Sequence, residues 1–399
     1  MSLAGAAAAL SLAACGGGHR AADAGTGADG SSPPSDAGPP VGWVEGPPLR
    51  LPRGNRTALR LPSGRVVVAG GDLDRSGNHE VEVYDPGAGA WGPALRLTRD
   101  ATNNTADLLA GGDVLITGGA GMELTMRLPV PSPSSDTCFL YDPATHEASR
   151  AASLAEGRSH HRSAVLGTGE VLVAGGAGTL GTPPDAVTFA LASAELYDES
   201  SAAWGPTGPM AEARFDHTLT RLASGAVLAA GGRNDEQPAL GSAELYDPGS
   251  GAWRTAAPMG IARVWHGAAL LPSGRVLVAG GLGADGTPLA SAELYDPVAD
   301  RWSPAAPLPA PAADLALTVL DSGGILATGG VRDGSFTGSD MAAVYREDTD
   351  RWDLMGPLRT ARSHHSAVQL PDGRVMVILG LPDRTGITAT TELSEEPLR

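Results

Sequence analysis

Four times along the chain an arginine is followed three residues later by a histidine: Arg158/His161, Arg214/His217, Arg263/His266 and Arg362/His365. A guanidinium presents a planar fork of donors that matches a carboxylate, and an imidazole donates or accepts according to its tautomer, so these pairs suit an anionic or hydroxyl-rich ligand. The same side chains at one recurring position suit a structural task equally well, hydrogen-bonding to backbone carbonyls between packed units. His160 and His364 precede His161 and His365 in matching RSHH segments, Trp265 takes that place beside His266, and Glu212, Asp216 and His217 bring acid/base groups together. A metal site is not expected, because no His-x-His or His-Glu-x-x-His spacing occurs. No Ser-His-Asp or phosphate-cradling glycine motif stands out either.

The elements that must position these pairs are read from repetition. A β-run ending in Gly-Gly recurs at 65–71, 113–119, 170–176, 226–232, 275–281 and 324–330, with a degenerate seventh copy, RVMVILG, at 374–380. A second signature follows downstream, as in VEVYDP (81–86) and AELYDP (243–248, 292–297), and weakens to TELSEE at 391–396. Tryptophan stands seven residues after the tyrosine at Trp91, Trp204, Trp253, Trp302 and Trp352, while Ala148 takes that place in the second copy. Each Arg-x-x-His pair begins ten residues beyond a tryptophan position, and the other copies read Arg53/Arg56, Ala101/Asn104 and Ala312/Leu315. Every unit therefore reads as four short strands, with LPSGR or LPDGR predicting a two-residue hairpin between the first and second. Trp43 has no tyrosine before it, and the seventh unit has no tryptophan after Ser394. A stack of such sheets leaves unpaired edges unless the first strand completes the last sheet.

Gly-Gly, Tyr-Asp and Trp in this order and spacing resemble the kelch family of β-propellers, over residues 41–399. The resemblance implies an all-β fold, a seven-bladed β-propeller of four-stranded antiparallel blades closed by an N-terminal strand in the last blade. The arginines and histidines then begin the innermost strands, on the face that also carries the long second-to-third-strand connections at 120–136 and 177–193. Equivalent positions around such a ring point past one another, which again argues against a shared metal. The family includes copper-radical oxidases that need a tyrosine cross-linked to cysteine, a second tyrosine and two histidines. Here all six tyrosines occupy one repeat position and Cys138 aligns with alanines, so core packing is expected of it and no cofactor is implied.

The segment MSLAGAAAALSLAACG resembles a bacterial lipoprotein signal, with Cys15 as the lipidated residue, although no Lys or Arg precedes the apolar run. Residues 1–15 are thus read as a signal, 16–40 as a disordered Gly/Ser/Pro-rich tether and 41–399 as the propeller. Gly16 rather than Asp favours the outer membrane by resemblance to lipoprotein sorting. With a net charge of −17 and no cationic stretch after residue 40, nucleic acid is not an expected partner. The reading is an exported, monomeric, lipid-anchored module that binds a protein or carbohydrate on its loop-rich face and is not expected to be an enzyme. The alternative is a mutarotase or epimerase acting on an acidic sugar at the central mouth.

Overall fold

The computed structural model describes residues 41–54, 57–71, 80–97, 102–120, 134–181, 186–334, 336–383 and 386–398. The expected signal, tether and Cys15 lie outside them, as do Arg56, Ala101 and 121–133 of the second blade's long connection. Among the described residues seven antiparallel sheets form the blades, six of four strands and the first with its outer strand split into Ala90–Trp91 and Leu95–Arg96. Their first strands, Thr57–Arg60, Thr105–Leu108, Arg162–Val165, Thr218–Arg221, Gly267–Leu270, Ala316–Val319 and Ser366–Gln369, adjoin one another in turn, and the seventh adjoins the first. These strands therefore ring a central axis, as expected of a propeller.

Burial explains the order of strands. The second strand of every blade is apolar and fully enclosed, as in Val66–Ala69 and Val276–Ala279. Side chains alternate to both faces of a strand, so each blade needs a neighbour on each side. Seven apolar layers result, one at every blade boundary, and the layer between blades seven and one is built from Leu49, Val66, Val68, Met376, Ile378 and Leu393. The first hairpin departs from the two-residue expectation. In Leu61–Arg65 the Gly64 amide donates to the Leu61 carbonyl and Gly64 has φ 85°, giving a three-residue loop with glycine in the left-handed position. Pro62, with φ fixed near −65°, suits the first corner of that turn and not the positive φ of a two-residue one.

The ring is closed by Trp43–Gly46, which pairs antiparallel with Thr391–Ser394 in the register Trp43 to Ser394. Complete blades pair tyrosine with tryptophan in the same way, Tyr84 with Trp91 and Tyr295 with Trp302. The indole of Trp43 donates to the Gly356 carbonyl at 2.9 Å, while Trp91, Trp302 and Trp352 donate to Pro47, Ala257 and Ala306. Trp43 thus does for the seventh blade what those three tryptophans do for theirs.

Candidate functional site

The arginines are placed where the chain enters each first strand. Arg158 Nη1 donates to the Gly175 and Ser193 carbonyls at 2.7 and 3.1 Å, and Nη2 donates to Ser193 Oγ and, at 2.9 Å, to Glu195. Arg214 repeats this with Gly231, Ser242 and Glu244, and Arg263 with Gly280, Ser291 and Glu293. Arg362 does so with Leu379, Thr390 and Glu392, and Arg53 pairs with Glu82. The glutamate is the second residue of the AELYD signature, or of its VEVYD and TELSE counterparts, and its oxygens also accept backbone amides from the incoming connection, Ala211 and Glu212 on Glu244 for example. Each clasp thus ties the second and third strands of a blade to the chain arriving from the blade before. Burial pulls the guanidiniums of Arg158, Arg263 and Arg362 down from their ordinary range, and the paired carboxylates partly restore them. With Arg158, Arg214, Arg263 and Arg362 all at 0% exposure, a ligand would have to displace the glutamates to reach them.

The histidines fill the blade boundaries. His161 and His217 are enclosed, His266 is buried and His365 half-buried. His161, His266 and His365 meet Thr105, Thr218 and Thr328 of the preceding blades at 3.2, 3.1 and 2.9 Å. The Gly-Gly pairs, which read as simple strand ends, exist because of this approach. A Cβ on Gly118 would lie 2.6 Å from the Arg158 carbonyl and 2.8 Å from His161, and one on Gly176 would lie 2.8 Å from both the Ser159 carbonyl and His161 Cβ. The second glycine's amide donates across the boundary, Gly119 to Arg158 and Gly232 to Arg263.

The residues between arginine and histidine form the rim. Asn103, His160, Asp216, Trp265, Asp314 and His364 all have φ between 52 and 56°. Their backbones are linked around the axis: His160 N donates to Asn103 O, Asp216 N to His160 O, Trp265 N to Asp216 O and Asp314 N to Trp265 O. The left-handed region costs most non-glycine residues roughly 1 kcal/mol, and Asn bears it best. Two carboxylates, two imidazoles and an indole are kept there nonetheless.

These side chains meet one another above the axis. His364 Nε2 lies 2.7 Å from Asp314 Oδ2. Burial alone would raise the Asp314 carboxyl, but the charge and hydrogen bond of His364 hold it below its ordinary range. Arg233 pairs with Asp216 at 3.0 Å, and its guanidinium lies 4.6 Å from the Phe215 ring centre and 5.2 Å from that of Trp265. Phe336 meets Trp265 edge-on at 6.2 Å. Burial lowers the His160 pKa, with Asp216 opposing and Arg233 reinforcing. His160, Asp216, Trp265 and His364 were legible from the repeat. Asp314 was not, because Ala312 and Leu315 erase the Arg-x-x-His signal around it, although position 314 aligns with the other rim residues.

Beyond the rim, the third blade's long connection contains a hairpin, Ala177–Leu180 with Val187–Ala190, where a loop was expected. The side chains of the described residues do not fit a copper-radical site. All six tyrosines are buried in the blades, away from the rim, and no three His, Cys, Asp or Glu residues converge among the described residues. Cys138 is enclosed between blades two and three, where burial pushes its thiol up to about 11.

The family model described as "Kelch motif" matches residues 224–260 and 268–309, the fourth and fifth units. A solved structure titled as a novel fungal alcohol oxidase of the AA5 family, in complex with copper, is similar over 90% of this chain and 79% of its own, with a TM-score of 0.68 and 17% identity. At that identity the likeness speaks for the fold alone. No curated protein matches the chain. The chain therefore folds as a seven-bladed β-propeller whose fourth and fifth units match the kelch motif.

Proposed function

We propose that this protein is an exported, lipid-anchored binding module, carried on Cys15 and a 16–40 tether, that takes a protein or carbohydrate ligand on the face bearing the rim. Kelch propellers commonly serve as interaction modules, which supports the class. The observation that carries the choice of face is the left-handed rim: His160, Asp216, Trp265, Asp314 and His364 occupy positions where glycine or asparagine costs less. Arg158/His161, Arg214/His217, Arg263/His266 and Arg362/His365 serve that surface from beneath, fixing the backbone that presents it.

The test is binding to a glycan array and to surface-protein extracts with residues 41–399, comparing Trp265→Ala and Asp314→Asn with Asp372→Ala in a turn of the opposite face. The rim variants are expected to lose binding and the turn variant to retain it; the reverse pattern would move the working face. Anchoring is read separately in cells, where Cys15→Ala should abolish incorporation of labelled fatty acid into the full chain.

A second reading, a mutarotase or epimerase at the same mouth, is favoured by one observation, the hydrogen-bonded His364–Asp314 pair with His160 also on the rim. A proton-transfer enzyme needs such a pair within reach of the sugar. Accelerated anomer exchange of an acidic sugar, followed by NMR and abolished in Asp314→Asn, would replace the binding-only reading.

A further inference from the structure

Aromatic side chains are scarce in this chain and most serve the repeat: the six tyrosines and every tryptophan but Trp265 belong to its signatures. Phe139, Phe189, Phe215, Trp265 and Phe336 remain, and all but Phe139, buried between blades one and two, stand in connections on the rim face. Arg233 joins two of them, with its guanidinium against both Phe215 and Trp265, and Phe336 extends the row. Two residues after Arg233, Asp235 accepts the Ala190 amide at 3.0 Å, which fastens the third blade's hairpin to the same connection. Leu180 and Val187 are cross-strand neighbours in that hairpin and are 72% and 61% exposed. The other exposed large hydrophobics, Val44, Ile261, Val298, Val319 and Leu354, stand in separate elements. The charges here are unequal. Asp216 answers Arg233, but Glu212 has to share Arg214 with Glu244, and the exposed Asp235 and Glu236 have no cation within ion-pair distance among the described residues.

We infer that, with the rim face as the working face, its ligand is a protein segment carrying arginines beside aliphatic residues, laid from the hairpin across Arg233 and Trp265. An exposed Leu–Val pair offers little to a hydroxylated sugar but can bury apolar side chains of a partner. The carboxylates left over complement a cationic partner and repel an anionic one. Arg233 shows within the chain how this surface holds a guanidinium, against two rings with the Asp216 carboxylate at 3.0 Å. Lysine, a compact point charge that does not stack, suits such a surface less well. Half-buried Trp265 and Phe215 are the residue types that anchor protein partners, as large rings with little freedom to lose.

The experiment is fluorescence anisotropy at about 0.15 M salt, where diffuse attraction to the acidic chain is screened. It uses residues 41–399, which lie within one compact unit, and terminally blocked peptides of repeating Leu-Arg-Val-Arg, with lysine, citrulline or glutamate replacing arginine in the others. Wild type is expected to bind the arginine peptide at least about tenfold more tightly than its uncharged citrulline isostere, with lysine between them and glutamate weakest. Trp265→Ala should lose about tenfold in affinity for the arginine peptide and Trp265→Phe should keep part of it. Leu180→Ser, at a site too exposed to matter for folding, should weaken binding about threefold or more, and Asp372→Ala on the opposite face should not change it. Equal binding of the arginine and citrulline peptides, no binding of the arginine peptide, or unchanged binding by either Trp265→Ala or Leu180→Ser would overturn the inference. The face is judged separately by the array comparison: a neutral glycan bound there and lost in Trp265→Ala would overturn the arginine-segment assignment and keep the rim as the working face. Loss of peptide binding in Asp372→Ala alone would overturn both.

Discussion

His161, His217 and His266 sit at blade boundaries where burial holds each imidazole well below its ordinary range, and the charges of Arg158, Arg214 and Arg263 push in the same direction. They stay neutral in the fold but take up protons once unfolded, so their contribution is complete above the unfolded value of about 6.5 and is lost as pH falls below it. Asp107 acts oppositely. Burial, partly offset by its hydrogen bond to Ser163, raises its carboxyl from 3.8 to about 6, so the folded chain binds that proton first and gains stability as pH falls through that window. These three imidazoles, joined by His160, outweigh the single carboxyl, so stability should fall as pH drops from 7 towards 5.5. Urea unfolding at pH 7.0 and 5.5 measures this. His217 lacks a hydrogen-bond partner on either ring nitrogen, so His217→Leu should remove about 1.4 kcal/mol per unit from the slope at little cost at neutral pH. The clasps give a second expectation: Arg214→Met strands Glu244 and should cost about 3–5 kcal/mol. Arg254→Met, at an exposed pair with Asp300, should cost less than about 1 kcal/mol in the same titration.

The second blade shows how an element tolerates a missing signature. Tyr141 pairs with Ala148 where other blades set tyrosine against tryptophan, leaving a gap in the signature. His146 fills it instead, with its ring edge-on to Tyr141 at 5.7 Å, Nδ1 at 2.8 Å from the tyrosine hydroxyl and Nε2 at 2.8 Å from the Pro93 carbonyl. That last bond ties the blade to its predecessor as a tryptophan indole does. His146→Gly should therefore destabilise the domain by about 1–3 kcal/mol, and adding Ala148→Trp should recover much of the loss, as read from urea midpoints. Gly89 and Gly251 already stand at the corresponding turn position, with φ of 64 and 65°, so glycine itself is no strain there. Strand order and blade count were legible because each signature recurs in register. His146 was not, because its function moved two residues along the turn, where repeat comparison does not look. The third-blade hairpin escaped for a related reason: its strands Ala177–Leu180 and Val187–Ala190 occur once and mix small, polar and apolar residues, so neither repetition nor alternation marks them. Exposed Leu180 and Val187 face each other across it.

At the scale of the whole molecule, stability depends on closure. Removing residues 41–50 would strip Thr391–Ser394 of its neighbour and expose the layer that Trp43 shares with Leu358, Val375 and Leu398. The truncated domain is expected to unfold or to pair its open edge with another copy. A truncated protein that stays monomeric by light scattering with an unchanged melting temperature would show that the ring stands without its strand. The orphan tryptophan at the start and the vacancy at the end made this closure legible. The rim's chemistry was less so, since the residues that meet there come from different blades and only the ring brings them together.

The pairing of Trp43–Gly46 with Thr391–Ser394 also sets a schedule. During synthesis the earliest strand of the domain must wait while nearly all the remaining chain is made, tens of seconds at roughly 5–20 residues per second. Throughout that wait its indole and unpaired backbone have no native partner, which makes these few residues the natural place for a chaperone to hold.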